Sequence, residues 1–182
     1  YRIGDSLVLH MITPFLLDID FSNTEIGVVQ KGFGMAATVV GVWLGGSLVD
    51  RLGPWKSLLI FGVVQSLANL GYIVLAVAEP TLALLAGAVM VDNVCNGLGT
   101  AAFVSFLTAL CHPRFSATQY ALLTSLSTVL GRLLAAGSGF VVASMGWAAL
   151  FGGTVVVAIP ALAVTYALAR KKIAIGQSAR AV

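Results

Sequence analysis

Apolar residues along the chain are grouped into six long stretches that are separated by short polar connections. Each stretch approaches the roughly 20 residues that an α-helix needs to cross a bilayer core. Because the connections are short, consecutive helices are expected to lie antiparallel. The pattern predicts an all-α membrane protein, with a six-helix transmembrane domain at 1–170 and a basic tail at 171–182. The predicted helices span about 1–17, 25–49, 55–78, 82–110, 117–144 and 147–169.

The composition agrees with a membrane environment. Hydrophobic residues make up 59% of the 182 residues and charged residues only 9%, with a mean hydropathy of +1.00. A soluble domain carries about 25% charged residues, so a water-soluble globule is excluded. Cys95 and Cys111 lie in apolar stretches without metal-ligand spacing, and predict neither a disulfide nor a metal site. Since the chain starts inside an apolar stretch, without an initiator Met or signal peptide, we expect a piece of a longer protein.

The charged residues divide the connections and the C-terminus into two classes. Basic residues on one side are Arg51, Lys56, Arg114, Arg170, Lys171, Lys172 and Arg180. The other side carries only acidic residues, which are Asp18, Asp20, Glu25 and Glu79. By the positive-inside rule, the second-to-third and fourth-to-fifth connections and the C-terminus are predicted to be cytoplasmic. No soluble face gathers the basic residues, so nucleic-acid binding is excluded despite a pI of about 9.1.

A polar strip interrupts the fourth apolar stretch. Asp92, Asn96 and Thr100 are spaced at i, i+4 and i+8 and therefore share one helix face, and Asn93 lies beside them. An ionisable group at membrane depth is costly and indicates a functional site. The strip is therefore the first candidate for binding chemistry.

Two basic residues also lie within predicted helices, Lys31 in the second and Arg132 in the fifth. Small residues recur at helical spacing around both, as expected where helix backbones approach closely in lipid. The third helix places Gln65, Asn69 and Tyr72 on one face, for which packing hydrogen bonds are the simpler interpretation. Asp92 is open to two interpretations: a carboxylate that gains and loses a proton, or a fixed salt bridge to Lys31 or Arg132.

Asp5 and His10 are the other candidates for handling a proton. Arg2 and Asp5, at i and i+3, also suit an ion pair near the cytoplasmic end. His10 lies on an apolar helix and is equally compatible with a hydrogen-bonded core residue. Both alternatives stay open.

The connection between the second and third helices carries a motif. Gly46, Asp50, Arg51, Gly53 and Lys56 follow the spacing G-x3-D-R-x-G-x-x-K. Glycine permits a close helix crossing, the Asp-Arg pair can clamp helix ends, and Gly-Pro ends one helix and begins the next. The motif resembles the signature between the second and third helices of each half of major facilitator superfamily transporters.

Several further segments resemble AmpG-type muropeptide permeases across nearly the whole chain. They are Tyr1 to Asp5, Glu25 to Lys31, Leu58 to Tyr72, Asp92 to Val104, and Phe115 to Leu123 continuing to Gly131 and Arg132. The resemblance implies helices seven to twelve of a twelve-helix carrier, built as two inverted three-helix repeats. It implies proton-linked import of anhydro-muropeptides across the bacterial inner membrane, with an N-terminal six-helix half as partner and the proton gradient instead of a cofactor.

Such a carrier binds its solute near the bilayer midplane between two halves. The resemblance makes Lys31 and Arg132 the candidate cations for solute carboxylates, and Asn93, Asn96 and Thr100 the candidate hydrogen-bonding groups. Asp92, Asp5 and His10 are then candidates for proton coupling. Asp92 stands where the family commonly has Glu, and Asn96 where it has Gly, so the carboxylate is one methylene shorter and an amide replaces a glycine.

Two alternatives remain beside the muropeptide carrier. One is a facilitator for another solute, such as a different amphipathic anion, and the other is a membrane scaffold or half-size subunit without transport. An enzyme is not expected, because the sequence has no Ser-His-Asp, HExxH or paired-carboxylate arrangement and no nucleotide-binding loop. Charged residues at membrane depth on three helices favour a carrier, since a scaffold gains nothing from them.

Overall fold

The structure is a computed structural model that describes residues 3–79, 81–111 and 116–178, without the side chains of Ile3, Leu134 and 168–178. Every regular element in this part of the chain is helical. The elements are α1 (Ile3–Asp18), α2 (Asn23–Gly27), a π-helical segment (Val28–Gly34), α3 (Met35–Leu52), α4 (Pro54–Ala68), α5 (Leu70–Val77), α6 (Leu82–Leu110), α7 (Ser116–Ala136) and α8 (Ser138–Ser178). The predicted ion pair of Arg2, and the basic residues Arg114 and Arg180, lie outside the described residues.

Four continuous helical runs are long and apolar enough to cross a membrane: Asn23–Leu52, Pro54–Val77, Leu82–Leu110 and Ser138–Ala167. The all-α membrane class predicted from the sequence is therefore confirmed. With 16 residues, α1 is shorter than these runs, and α7 carries several hydroxyl side chains beside Arg132. Six spans remain a prediction.

The helix breaks lie at residues with a physical reason to stop a helix. Gly53 has φ 80° and ends α3, and Pro54 begins α4 at the first helical position, where its missing N–H costs no hydrogen bond. The predicted connection at Gly146 is a kink within α8, again with positive φ (81°). Two breaks were not predicted. A turn at Gly137 divides the fifth apolar stretch, and Asn69 separates α4 from α5.

Close packing of α3 against α6 is made possible by glycine. A Cβ at Gly41 would clash with the Val94 carbonyl, and one at Gly97 would clash with the Thr38 carbonyl. Gly45 is similarly close to Leu98. Because lipid gives no hydrophobic driving force between helices, such backbone approach is a main source of helix association in membranes. The α3–α6 contact holds the polar strip of α6 against the second span.

The larger buried core contains residues of α1, α5, α6 and α8, and aromatic rings join α1, α5 and α8 within it. Phe15 lies edge-on to Phe151 with ring centroids 4.9 Å apart, and Tyr72 stacks on Phe151 at 5.4 Å. The Trp147 indole N–H donates to the Asp18 carboxylate over 2.6 Å, which ties α8 to the end of α1. These contacts bring the third and sixth predicted spans beside the first.

A second buried cluster, of Val49, Leu58, Phe61 and Ala102, joins α3, α4 and α6 at the other end of the molecule. Large apolar side chains cover the outer surface, including Trp43 on α3, Leu122 on α7 and Phe140 on α8, at 73%, 66% and 81% exposed. In water such a surface would aggregate, whereas in a bilayer it is the expected lipid-facing surface.

Candidate functional site

Asp92 lies half-buried on α6 and receives two hydrogen bonds from the third predicted span. The Gln65 side-chain N–H donates to Oδ1 over 2.8 Å, and the Tyr72 hydroxyl donates to Oδ2 over 3.0 Å. Gln65 and Tyr72 are 4% and 0% exposed. Each carboxylate oxygen therefore has its own neutral donor, which stabilises a charge at membrane depth.

The polar face of the third span thus does more than pack. Tyr72 carries its hydroxyl to Asp92 while its ring stacks on Phe151. In the described part of the chain, neither Lys31 nor Arg132 forms an ion pair with Asp92. The i, i+7 spacing of Gln65 and Tyr72 was the available signal, but sequence alone does not say which neighbouring helix that face meets.

A cavity of about 370 Å³ opens beside Asp92. Its polar lining residues are Asp5, Gln30, Lys31, Thr38, Gln65, Asp92, Asn93 and Asn96. We call it the carboxylate cavity. It brings together five of the predicted site residues, from α1, the π-helical segment and α6, and adds Gln30, Thr38 and Gln65.

Lys31 reaches the carboxylate cavity from the π-helical segment. Short π-helical segments are frequent at functional sites, because the wider turn shifts the side chains relative to those of a regular α-helix. Gln30, in the same segment, has a buried side-chain nitrogen without a hydrogen-bond partner among the described residues. The cavity therefore contains one cation and an amide with unused hydrogen-bonding capacity.

Hydrogen bonds fix the side chains of Asn93 and Thr100, and one of them comes from Thr38 on α3. The Thr38 hydroxyl donates to the Asn93 side-chain oxygen over 2.9 Å, and the Asn93 nitrogen donates to the Val89 carbonyl over 2.8 Å. The Thr100 hydroxyl donates back to the Asn96 carbonyl over 2.8 Å. Asn93 and Asn96 line the carboxylate cavity, whereas Thr100 lies outside the described cavity linings.

A second cavity of about 360 Å³ lies between α1, α6 and α7. Its polar lining residues are Asp5, Ser6, His10, Asn96, Tyr120, Thr124, Ser127, Thr128 and Arg132. We call it the arginine cavity. Asp5, Leu9 and Asn96 line both cavities, so the two are neighbours. Arg132 and Lys31 therefore line two neighbouring cavities.

The serine and threonine hydroxyl groups of α7 that line the arginine cavity all use their protons within the helix. Thr124, Ser127 and Thr128 each donate to the backbone carbonyl four residues earlier, over 2.7 to 2.9 Å. Their remaining capacity toward the cavity is that of acceptors. His10 is exposed, and its Nδ1 lies 2.7 Å from the Ser6 carbonyl, so that nitrogen is the protonated one.

The loop motif of Gly46, Asp50, Arg51, Gly53 and Lys56, predicted to be cytoplasmic, lies away from both cavities. Asp50, Arg51 and Lys56 are exposed at the junction of α3 and α4. Gly46 has open space around its Cα, and Gly53 has the positive φ that ends α3. Among the described residues, the motif shapes a helix junction and lines neither the carboxylate cavity nor the arginine cavity.

The fold and site define a multi-pass, all-α membrane protein with charged residues around two polar cavities. Residues 3–136 match the family model described as Major Facilitator Superfamily. The chain therefore belongs to the major facilitator superfamily.

Individual relatives of this chain belong to one group within the superfamily. Over 163 residues, 89% of this chain and 33% of the relative, it is 40% identical to a protein of Escherichia coli K12 named anhydromuropeptide permease. It is 34% identical over 162 residues to a protein of Rickettsia conorii named as transporter AmpG 4, covering 89% of this chain and 39% of that protein. The resemblance to AmpG-type permeases stated above is thus confirmed. The chain spans about a third to two fifths of the length of these relatives.

Proposed function

We propose that this chain forms the C-terminal six-helix half of a proton-coupled carrier that imports anhydro-muropeptides across the bacterial inner membrane. The observation that carries the proposal is the Asp92 carboxylate. It is held at membrane depth by Gln65 and Tyr72, at the wall of a polar cavity that also contains Lys31. A scaffold gains nothing from this costly arrangement, whereas a carrier uses it.

Solute binding is assigned to the two neighbouring cavities. Lys31 and Arg132 attract the carboxylates of a muropeptide, and the planar guanidinium of Arg132 is suited to two-pronged pairing. Asn93 and Asn96 supply amide donors and acceptors for sugar and peptide groups. Thr100, which bonds back to Asn96, keeps the orientation of that part of the strip. The N-terminal half of the carrier supplies the opposite wall.

Proton coupling is assigned to Asp92, with Asp5 and His10 as further participants. A coupling carboxylate must be stable with and without its proton as the site alternates between the two sides of the membrane. The donors Gln65 and Tyr72 favour the charged form, and the apolar surroundings favour the neutral form. The proton gradient, with no bound cofactor, supplies the driving force.

Transport in proteoliposomes containing the complete carrier tests this function. Inward movement of a labelled anhydro-muropeptide should depend on an imposed pH gradient, acidic outside. Exchange at equal pH (counterflow) should continue without the gradient. Gradient-independent uptake would refute coupling, and absence of both activities would refute the muropeptide carrier.

A carrier of another amphipathic anion is the second candidate. Asp92 and Asn96 depart from the Glu and Gly that are common in AmpG-type permeases, and both line the carboxylate cavity. A shorter carboxylate and a larger amide change the space left for a solute. Competition of unlabelled anions against labelled muropeptide distinguishes the two, since the preferred solute competes at the lower concentration.

A further inference from the structure

A third and much smaller cavity lies between α1, α4 and α8. Its volume is about 10 Å³, and its lining includes Asp5, Gln65, Ser66, Asn69 and Thr154. A polar cavity of about 10–15 Å³ holds one water molecule when two to four polar partners surround it. Size and lining thus suit a single bound water.

Two amide oxygens that line this cavity are buried without a partner in the described part of the chain. They are Gln65 Oε1 and Asn69 Oδ1, on side chains that are 4% and 2% exposed. Buried polar groups are nearly always hydrogen-bonded, so two such atoms at one small cavity require an explanation.

The hydrogen bonds of both amides fix which atom is the oxygen. Gln65 must direct its nitrogen to Asp92, because a carboxylate only accepts. Asn69 directs its nitrogen to the Thr154 hydroxyl oxygen over 3.4 Å, because the Thr154 proton is donated to the Phe151 carbonyl over 2.7 Å. The unpartnered atoms are therefore acceptors.

The neighbouring hydroxyl protons are already used. Thr154 donates as described, and the Ser66 hydroxyl donates to the Gly62 carbonyl over 2.8 Å. A ligand of this cavity must therefore bring its own donors. Water brings two, which matches the two unpartnered oxygens.

We propose that one water molecule binds in this cavity, donates to Gln65 Oε1 and Asn69 Oδ1, and links the Asp5 carboxyl to the Gln65–Asp92 pair. When Asp5 carries a proton, its O–H donates to the water oxygen, and both water protons go to the amides. When Asp5 is charged, the water turns one proton to the carboxylate and withdraws it from Gln65 Oε1, while the other proton stays on Asn69 Oδ1. Only the carboxyl O–H bond of Asp5 forms or breaks, as Asp5 takes up or releases its proton, and the water itself changes only its hydrogen bonds.

The water therefore connects the two carboxyls of the site. Protonation of Asp5 changes the partner of Gln65, which in turn donates to Asp92. Other charged or titratable groups lie near Asp92 and Asp5. Near Asp92, Lys31 lines the carboxylate cavity and Tyr72 donates a hydrogen bond to the carboxylate. Near Asp5, His10 and Arg132 line the arginine cavity. This linking role rests on the proposed proton coupling, whereas binding of the water does not.

Density in the unaltered, complete carrier tests the bound water directly. A high-resolution map should show one peak within about 2.5–3.0 Å of both Gln65 Oε1 and Asn69 Oδ1, the range of O–H···O hydrogen bonds. A cavity without density would overturn the proposal. A second result would also overturn it. If sodium chloride stabilised the carrier against unfolding more than potassium chloride did, and Asn69→Leu abolished this difference, the ligand would be a cation.

The Asn69→Leu variant tests the linking role, since Leu has a similar shape and accepts no hydrogen bond. Gradient-driven uptake should fall roughly fivefold to tenfold, the effect of losing about one hydrogen bond, while counterflow is retained. Ser66→Ala is the matched control, because it lines the same cavity and its proton is donated to a backbone carbonyl. It should leave both activities unchanged.

The outcomes separate the water from the function. If the wild-type carrier shows no counterflow, the proposed function fails. If wild type transports and Asn69→Leu keeps full gradient-driven uptake, the linking role is wrong and the function stands. Because the density measurement uses the unaltered protein, it decides the water site even if the variant does not fold.

Discussion

At the scale of single residues, Asp92 is defined by its partners. A carboxylate in a lipid-embedded helix is unfavourable unless each oxygen has a donor, and Gln65 and Tyr72 supply one each. Neither partner is charged, so Asp92 can lose its charge without leaving an opposite charge unpaired. A salt bridge would lack this property, because protonation would strand a buried cation.

Tyr72→Phe tests the contact between Tyr72 and Asp92. The variant keeps the stack on Phe151 and removes the hydroxyl, so stability should fall by about 1.5–3 kcal/mol, the range for hydrogen bonds to charged groups. Thermal unfolding in detergent measures the loss. In an Asp92→Ala background the effect of Tyr72→Phe should shrink, and an equal effect in both backgrounds would contradict the contact.

Arg132→Lys tests two-pronged carboxylate recognition. Lysine keeps the charge but loses the planar pair of donors, so solute affinity should fall roughly tenfold, as for loss of one hydrogen bond to a charged group. Competition binding with a labelled muropeptide measures the change. Arg132→Gln, which also removes the charge, should bind more weakly still. Full affinity in Arg132→Lys would show that only charge matters.

At the scale of helices, glycine contacts determine where the polar strip lies. Gly41 on α3 and Gly97 on α6 let the two backbones approach, and this brings Thr38 within hydrogen-bonding distance of Asn93. The π-helical segment then directs Lys31 into the carboxylate cavity. The site therefore depends on a helix crossing and a helix irregularity as much as on polar residues.

Gly41→Ala tests this crossing. The added methyl group meets the Val94 carbonyl, and overpacking of this kind costs about 1–3 kcal/mol. We expect a lower unfolding temperature in detergent and weaker solute binding. Gly27→Ala is the matched control on the same continuous helix, where a Cβ has open space. Equal behaviour of the two variants would contradict the close crossing.

Sequence reasoning predicted the helical membrane class and the end of α3 at Gly53, because apolar periodicity and glycine–proline pairs are local signals. It also proposed Asp92, Lys31 and Arg132 as site residues, because a charged residue within an apolar helix can be recognised from the sequence alone. The partners of Asp92 were not predictable, since they depend on which helix faces which. Nor was the π-helical segment, which no local composition marks. The turn at Gly137 lies in a Gly-Ser-Gly run, a local turn signal that was interpreted as part of a helix.

At the scale of the whole molecule, charge and lipid-facing surface define how the chain lies in a membrane. Acidic residues gather at one end, where Asp18 accepts a hydrogen bond from Trp147, and the Arg51–Lys56 junction lies at the other. The carboxylate and arginine cavities lie between these ends, as required of a carrier that alternates around a central site. The basic end is predicted to face the cytoplasm.

Single-cysteine labelling in cells tests this orientation. After replacement of Cys95 and Cys111, a cysteine at Lys56 should react with a membrane-impermeant maleimide only after the membrane is permeabilised. A cysteine at Asp20, at the acidic end, should react in intact spheroplasts. The two sites serve as each other's control, and the reverse pattern would contradict the orientation.

The most direct test of the central claim, that Asp92 couples proton movement to transport, is Asp92→Asn in the complete carrier. Asparagine keeps the shape of the side chain and cannot take up or release the proton. In proteoliposomes, uptake driven by a pH gradient should be abolished, while counterflow at equal pH continues. Gradient-driven uptake at the wild-type rate would contradict the claim.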